Sequence, residues 1–122
     1  MKIENYCTLE FPSRSANEGF ARAAAACFAA QLDPTLEEIN DVKTAVSEAV
    51  TNAIVHAYPD RIGKIVMKLR QKEGQVLEIV VRDDDTVSRM CCKTGCGGGD
   101  RQSIDSDLGG YVAGIRQCDC DQ

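Results

Sequence analysis

Between Ala45 and Tyr58 the chain reads Ala-Val-Ser-Glu-Ala-Val-Thr-Asn-Ala-Ile-Val-His-Ala-Tyr, and this stretch constrains the fold more than any other. Ile39, Val42, Val46, Val50 and Ala53 recur at helical spacing, which predicts an amphipathic helix from about Thr35 to about Ala57. Within it Glu48 and Asn52 stand one turn apart, and side chains at i and i+4 lie one above the other on a helix. A carboxylate over an amide oxygen can serve a proton and a hard cation together. A polar helix face is most often simply solvated. Here alanine, valine and threonine surround Glu48, Asn52 and His56 in place of the usual charges.

The remaining elements follow from local signals. Asn5 to Phe11 alternates and ends at Pro12, as a strand does. Ser15 and Glu18 have capping-box spacing, and the alanines behind them favour a helix to about Leu32, with Phe20, Ala24, Cys27 and Phe28 as its apolar stripe and Arg22 facing away. Asp33-Pro34 breaks that helix, and Thr35 and Glu38 form a second capping box. Tyr58 to Gly63 reads as a loop. Lys64–Arg70 and Val76–Arg82, joined by a turn at Gln71–Gly74, read as a β-hairpin, and Asp83 closes its second strand.

Bulk properties narrow the function. A chain of 122 residues suits one modest core. The net charge of −5 argues against nucleic-acid binding, and no apolar run reaches membrane-span length. The N-terminus lacks a signal-peptide core, so a cytoplasmic protein is expected. Seven cysteines are an odd number for a disulfide framework. Cys7 and Cys27 sit alone in apolar contexts. The spacings Cys92-x3-Cys96 and Cys118-x-Cys120 suit a soft metal, yet without a nearby histidine and in glycine-rich surroundings zinc is not expected.

The run Ser47 to Tyr58 resembles the asparagine box of the histidine-kinase-like ATPase superfamily and, within it, the anti-sigma F factors of spore-forming bacteria, which are serine kinases. The likeness covers residues 7 to about 84. It includes Asn17-Glu18-x-Phe20-Ala21-Arg22, Ala30-Gln31-Leu32-Asp33-Pro34-Thr35, Lys43-Thr44-x-Val46 through Ile54, and Val81-Arg82-Asp83. The resemblance implies ATP and Mg²⁺ as cofactors. Asn52 would coordinate Mg²⁺ through its amide oxygen. Glu48 would take the proton of the attacking serine hydroxyl. Asp83 would accept a hydrogen bond from the adenine amino group. Arg22 would lie on the surface that grips a sigma factor and an anti-anti-sigma protein. A homodimer is implied as well, and His56 is expected to be structural.

The pattern breaks after Asp83. The family has Asp-x-Gly-x-Gly there, followed by a lid and a second glycine box. This chain reads Asp83-Asp84-Asp85-Thr86-Val87, with Asp85 and Val87 in the glycine positions. Glycine permits positive φ and close backbone approach, so Val87 would be strained in such a place and Asp85 would set a negative charge near phosphates. Gly109-Gly110 is a weak echo of the second box, and the run Gly95–Gly99 lacks the strand-before, helix-after context of a phosphate loop. One inserted base would account for the break. Back-translated as GAC GAC GAT ACG GTA TCG AGG ATG, one choice among degenerate codons, Asp83 to Met90 becomes Asp-Asp-Gly-Tyr-Gly-Ile-Glu-Asp on adding a G before the AT of the third, which restores the box.

These observations predict an α/β two-layer sandwich of the histidine-kinase-like ATPase type, with a mixed or antiparallel sheet, helices on one face and an incomplete or irregular C-terminal part. Residues 1–84 are expected to form the folding unit and 85–122 an irregular tail, for which a frame shift is one account. The expected function is sequestration of a sporulation sigma factor and Mg-ATP-dependent phosphorylation of a serine on its anti-anti-sigma antagonist. The alternatives are a nucleotide-free sigma-binding module, or an inactive fragment whose strand Val76–Arg82 is an exposed edge open to aggregation.

Overall fold

The computed structural model describes residues 2–84, 86–93 and 116–117. In chain order these form β1 (Ile3–Pro12), α1 (Ala16–Ala29) with a 3₁₀ turn over Ala30–Leu32, α2 (Leu36–Asn52) with a π turn over Ala53–Ala57, β2 (Lys64–Lys72), β3 (Val76–Arg82), β4 (Val87–Lys93) and the short β5 (Arg116–Gln117). The strands lie in the order β1-β2-β3-β4-β5, each antiparallel to its neighbour. The two helices pack on each other and over the sheet, giving the expected two-layer α/β arrangement with an antiparallel sheet.

Burial explains the layering. Ile65, Met67 and Leu69 of β2 face the helices together with Leu77, Ile79 and Val81 of β3 and Met90 and Cys92 of β4, the period-2 pattern of a strand with one covered face. Gly74, at φ 83, carries the β2–β3 turn, where a positive φ suits glycine. Opposite the sheet, α2 contributes Val42, Ala45, Val46, Ala49 and Val50. Its capping box is formed in full: the Thr35 hydroxyl accepts from the Glu38 amide at 3.1 Å, and the Glu38 carboxylate accepts from the Thr35 amide at 2.8 Å.

Several expectations are corrected. The buried face of α1 is Ala21, Ala25, Phe28 and Ala29; Phe20 is 54% exposed and Cys27 is exposed too. Nearly every candidate position on α1 is alanine, so one large side chain does not fix the rotation. Three small residues and Phe28 go inward, on a helix that packs against α2. Ser15 makes no side-chain cap bond, because its backbone is already helical (φ −61°, ψ −28°) rather than extended as a capping residue needs. Glu18 pairs with Arg22 instead.

Val76–Arg82 is not an edge strand: β4 pairs with it from Val76↔Lys93 to Arg82↔Val87. Residues 87–93, assigned by composition to an irregular tail, are therefore the fourth strand of the sheet. Val87 opens that strand, and among the described residues positive φ occurs at Asp33, Gln75 and Gly74 and not at Val87. The strain expected of valine in a glycine-box conformation does not arise, because the chain takes a hairpin path. Asp85, Cys96, Cys118, Cys120, the run Gly95–Gly99 and Gly109-Gly110 lie outside the described residues. No helix among the described residues is long and apolar enough to cross a membrane.

Candidate functional site

Asp83 and the exit of α2 lie at one end of the sheet. The end of β1 pairs with the start of β2 (Pro12↔Lys64), the start of β2 with the end of β3 (Val66↔Arg82), and the end of β3 with the start of β4 (Arg82↔Val87). The helical path of α2 leaves through its π turn at this same end and reaches β2 by the loop Tyr58–Gly63. Asn52 closes the regular part of α2, and the wider π turn begins at the next residue. Such π turns occur often at functional positions. Glu48 and Asn52 are both half-buried on the helix, flanking its apolar stripe, whereas His56 is exposed.

Asp83 follows β3 and is half-buried. Its carboxylate accepts from the Thr86 amide at 2.8 Å and from the Thr86 hydroxyl at 3.0 and 3.2 Å. Its own amide donates to the Thr86 carbonyl at 3.1 Å. An aspartate bonding the backbone of a nearby residue is an Asx-type turn, and here it drives the chain straight back into β4. Arg22 sits on α1 with 43% of its side chain exposed, in an i, i+4 ion pair with Glu18 at 3.0 Å.

The hub of this end is Tyr58, the first residue of the loop Tyr58–Gly63. Its hydroxyl donates to the Lys64 carbonyl at 2.8 Å and accepts from the Asp84 amide at 3.0 Å. The loop is held further by Ser13, whose hydroxyl accepts from the Gly63 amide and whose amide donates to the Gly63 carbonyl, each at 2.9 Å. Burial pushes the Tyr58 phenol above its ordinary value, and the nearby Asp84 and Asp83 charges add to the rise. The one clue in the sequence was chemical: a buried tyrosine needs a partner for its hydroxyl.

The comparisons bear on this geometry. The family model of the Histidine kinase-like ATPase domain matches residues 11–104, from the end of β1 past β4. The chain belongs to the histidine kinase-like ATPase family. Relatives carrying the name Anti-sigma F factor are similar over half to two thirds of the chain. That of Caldanaerobacter subterraneus subsp. tengcongensis is 60% identical over 68 residues, 56% of this chain and 48% of the relative. That of Clostridium novyi is 55% identical over 83 residues, 66% of this chain and 56% of the relative. That of Clostridium botulinum strain Alaska E43 is 62% identical over 74 residues, 60% of this chain and 52% of the relative. The chain thus spans about half the length of the curated relatives it matches.

Within this family a nucleotide and a divalent cation are the groups to test against the residues present. The Asn52 amide oxygen is a hard neutral ligand of the sort Mg²⁺ accepts. The Glu48 carboxylate, one turn earlier, has the chemistry of a proton acceptor. The Asp83 carboxylate uses both of its oxygens on Thr86. The donor chemistry of Asn52 and Glu48 suits a cation and a proton. Val87 does not suit a phosphate cradle, because it belongs to β4, which pairs with β3.

Proposed function

We propose that this chain is an anti-sigma factor of the kinase type: it sequesters a sporulation sigma factor and carries the residues for phosphorylating a serine of the anti-anti-sigma antagonist with Mg-ATP. The observation behind this is the half-buried pair Glu48 and Asn52 in the last two turns of α2, with Asp83 half-buried directly after β3. The names of the relatives supply the sigma-binding part.

In this reading Asn52 holds the cation, Asp83 receives the adenine amino hydrogen, and Glu48 accepts the proton of the attacking serine hydroxyl. Mg²⁺, when bound, neutralises charge on the transferring phosphoryl group. The half-buried position of Glu48 leaves it reachable by a substrate side chain. Arg22 and the exposed surface of α1 take the sigma factor and the antagonist. We take the protein to act in the cytoplasm as a homodimer.

A second reading is favoured by one observation, the Asp83–Thr86 turn into β4. With Asp85 and Val87 in the glycine positions, phosphoryl transfer by this chain is expected to be slight, and sigma binding would then proceed without nucleotide. Two titrations separate the readings. Mg-dependent ATP binding that vanishes in Asn52→Ala supports the first. Sigma-factor binding unaffected by Mg-ATP, with no ATP binding, supports the second.

A further inference from the structure

We propose that the Tyr58 hydroxyl is a positioning group for the nucleotide end of the domain, fixing the Asp83–Thr86 turn to the segment that follows Asn52. This rests on the nucleotide-binding reading of that end. Tyr58 lies six residues beyond Asn52, directly after the π turn. Its hydroxyl touches two strands at once, donating to Lys64 at the start of β2 and accepting from Asp84 just beyond β3.

A ring that merely filled space would need only its carbon atoms. Tyr58 is 4% exposed and packs so closely on Gly63 that a Cβ there would overlap the ring. The ring is therefore immobilised, and its hydroxyl is delivered to a fixed point. Burial keeps the phenol protonated, so the bond to Lys64 persists through the neutral range. The Asp83–Thr86 turn is closed by bonds within itself, and its two ends are held by the pairing of β3 with β4. Fixing it to the segment that follows Asn52 needs a further tie. The Asp84 amide supplies one through Tyr58. The Arg61–Asp84 ion pair at 3.0 Å is more than half exposed on both sides and contributes little. Arg61 also lies over the Tyr58 ring, 4.9 Å from its centroid, which covers the ring without replacing the hydroxyl.

The test compares the parent chain, Tyr58→Phe and Arg61→Ala by amide hydrogen exchange and by Mg-ADP titration. Tyr58→Phe keeps the ring on Gly63, so the fold is retained. Exchange at the Asp84 amide is expected to rise about tenfold while Ile79, in the middle of β3, is unchanged. Mg-ADP affinity is expected to fall about three- to tenfold, and Arg61→Ala to stay within about twofold of the parent. Equal Mg-ADP affinity in the parent and Tyr58→Phe would overturn the positioning role, as would equal Asp84 exchange. Absence of Mg-ADP binding by the parent would overturn the nucleotide reading and the positioning role with it; fast Asp84 exchange in Tyr58→Phe would then still show the tie between the two strands.

Discussion

The Asp83 carboxylate accepts the Thr86 amide hydrogen at 2.8 Å, and this short bond sends the chain back alongside β3. It sits where the family's glycine box would begin. If the hairpin displaces a phosphate cradle, restoring the glycines should restore nucleotide affinity. Asp85→Gly combined with Val87→Gly is expected to tighten Mg-ATP binding by about tenfold or more, read by calorimetry; unchanged affinity would separate the loss of the glycines from nucleotide binding.

Capping gives a paired test on stability. Thr35→Ala should cost about 1 kcal/mol in urea denaturation, because it strips a formed capping box. Ser15→Ala should leave stability within about 0.5 kcal/mol of the parent, since Ser15 makes no side-chain cap bond. Equal costs at the two sites would contradict the difference in backbone geometry between them.

The sheet carries a buried ionic cluster. The Glu78 side chain is 1% exposed, with Arg70 at 3.1 Å and Lys72 at 3.4 Å. One carboxylate oxygen, Oε2, faces Lys72 without a well-aligned hydrogen bond. Removing the anion strands two cations, one of them buried, so Glu78→Ala is expected to destabilise by about 3–5 kcal/mol. A loss under about 1 kcal/mol would show that water reaches the cluster.

Tyr58 makes stability depend on pH at the alkaline end. Its phenol titrates above 10.0 in the folded protein, so the unfolded chain releases that proton first. The stabilisation is full below pH 10 and is lost as pH rises through the folded value. Tyr58→Phe lacks this term, and the gap between parent and variant should narrow as pH rises above 10. A constant gap across urea midpoints at pH 9 and pH 11 would rule out the buried phenol as its source.

What was legible in the sequence was local. The Thr35–Glu38 box and the β2–β3 hairpin are each written within a few residues; the box formed as read, and the hairpin formed with β2 running two residues further, to Lys72. The placement of Glu48 and Asn52 one turn apart on α2 was legible for the same reason. The face of α1 was not, because its run of alanines carries no contrast between sides. β4 was missed because its core-facing residues are Met90 and Cys92, and the cysteine was weighed as a metal ligand rather than as a small hydrophobe. Tyr58 was missed because its partners are backbone atoms up to 26 residues away, which no residue pattern announces.

The central proposal is that the end of α2 binds a nucleotide through Asn52. Calorimetric titration of the parent chain and Asn52→Ala with ATP, each with and without Mg²⁺, tests it most directly. Saturable binding by the parent that needs Mg²⁺ and is lost in Asn52→Ala is the predicted result. No binding by the parent, or equal binding by both, would contradict it.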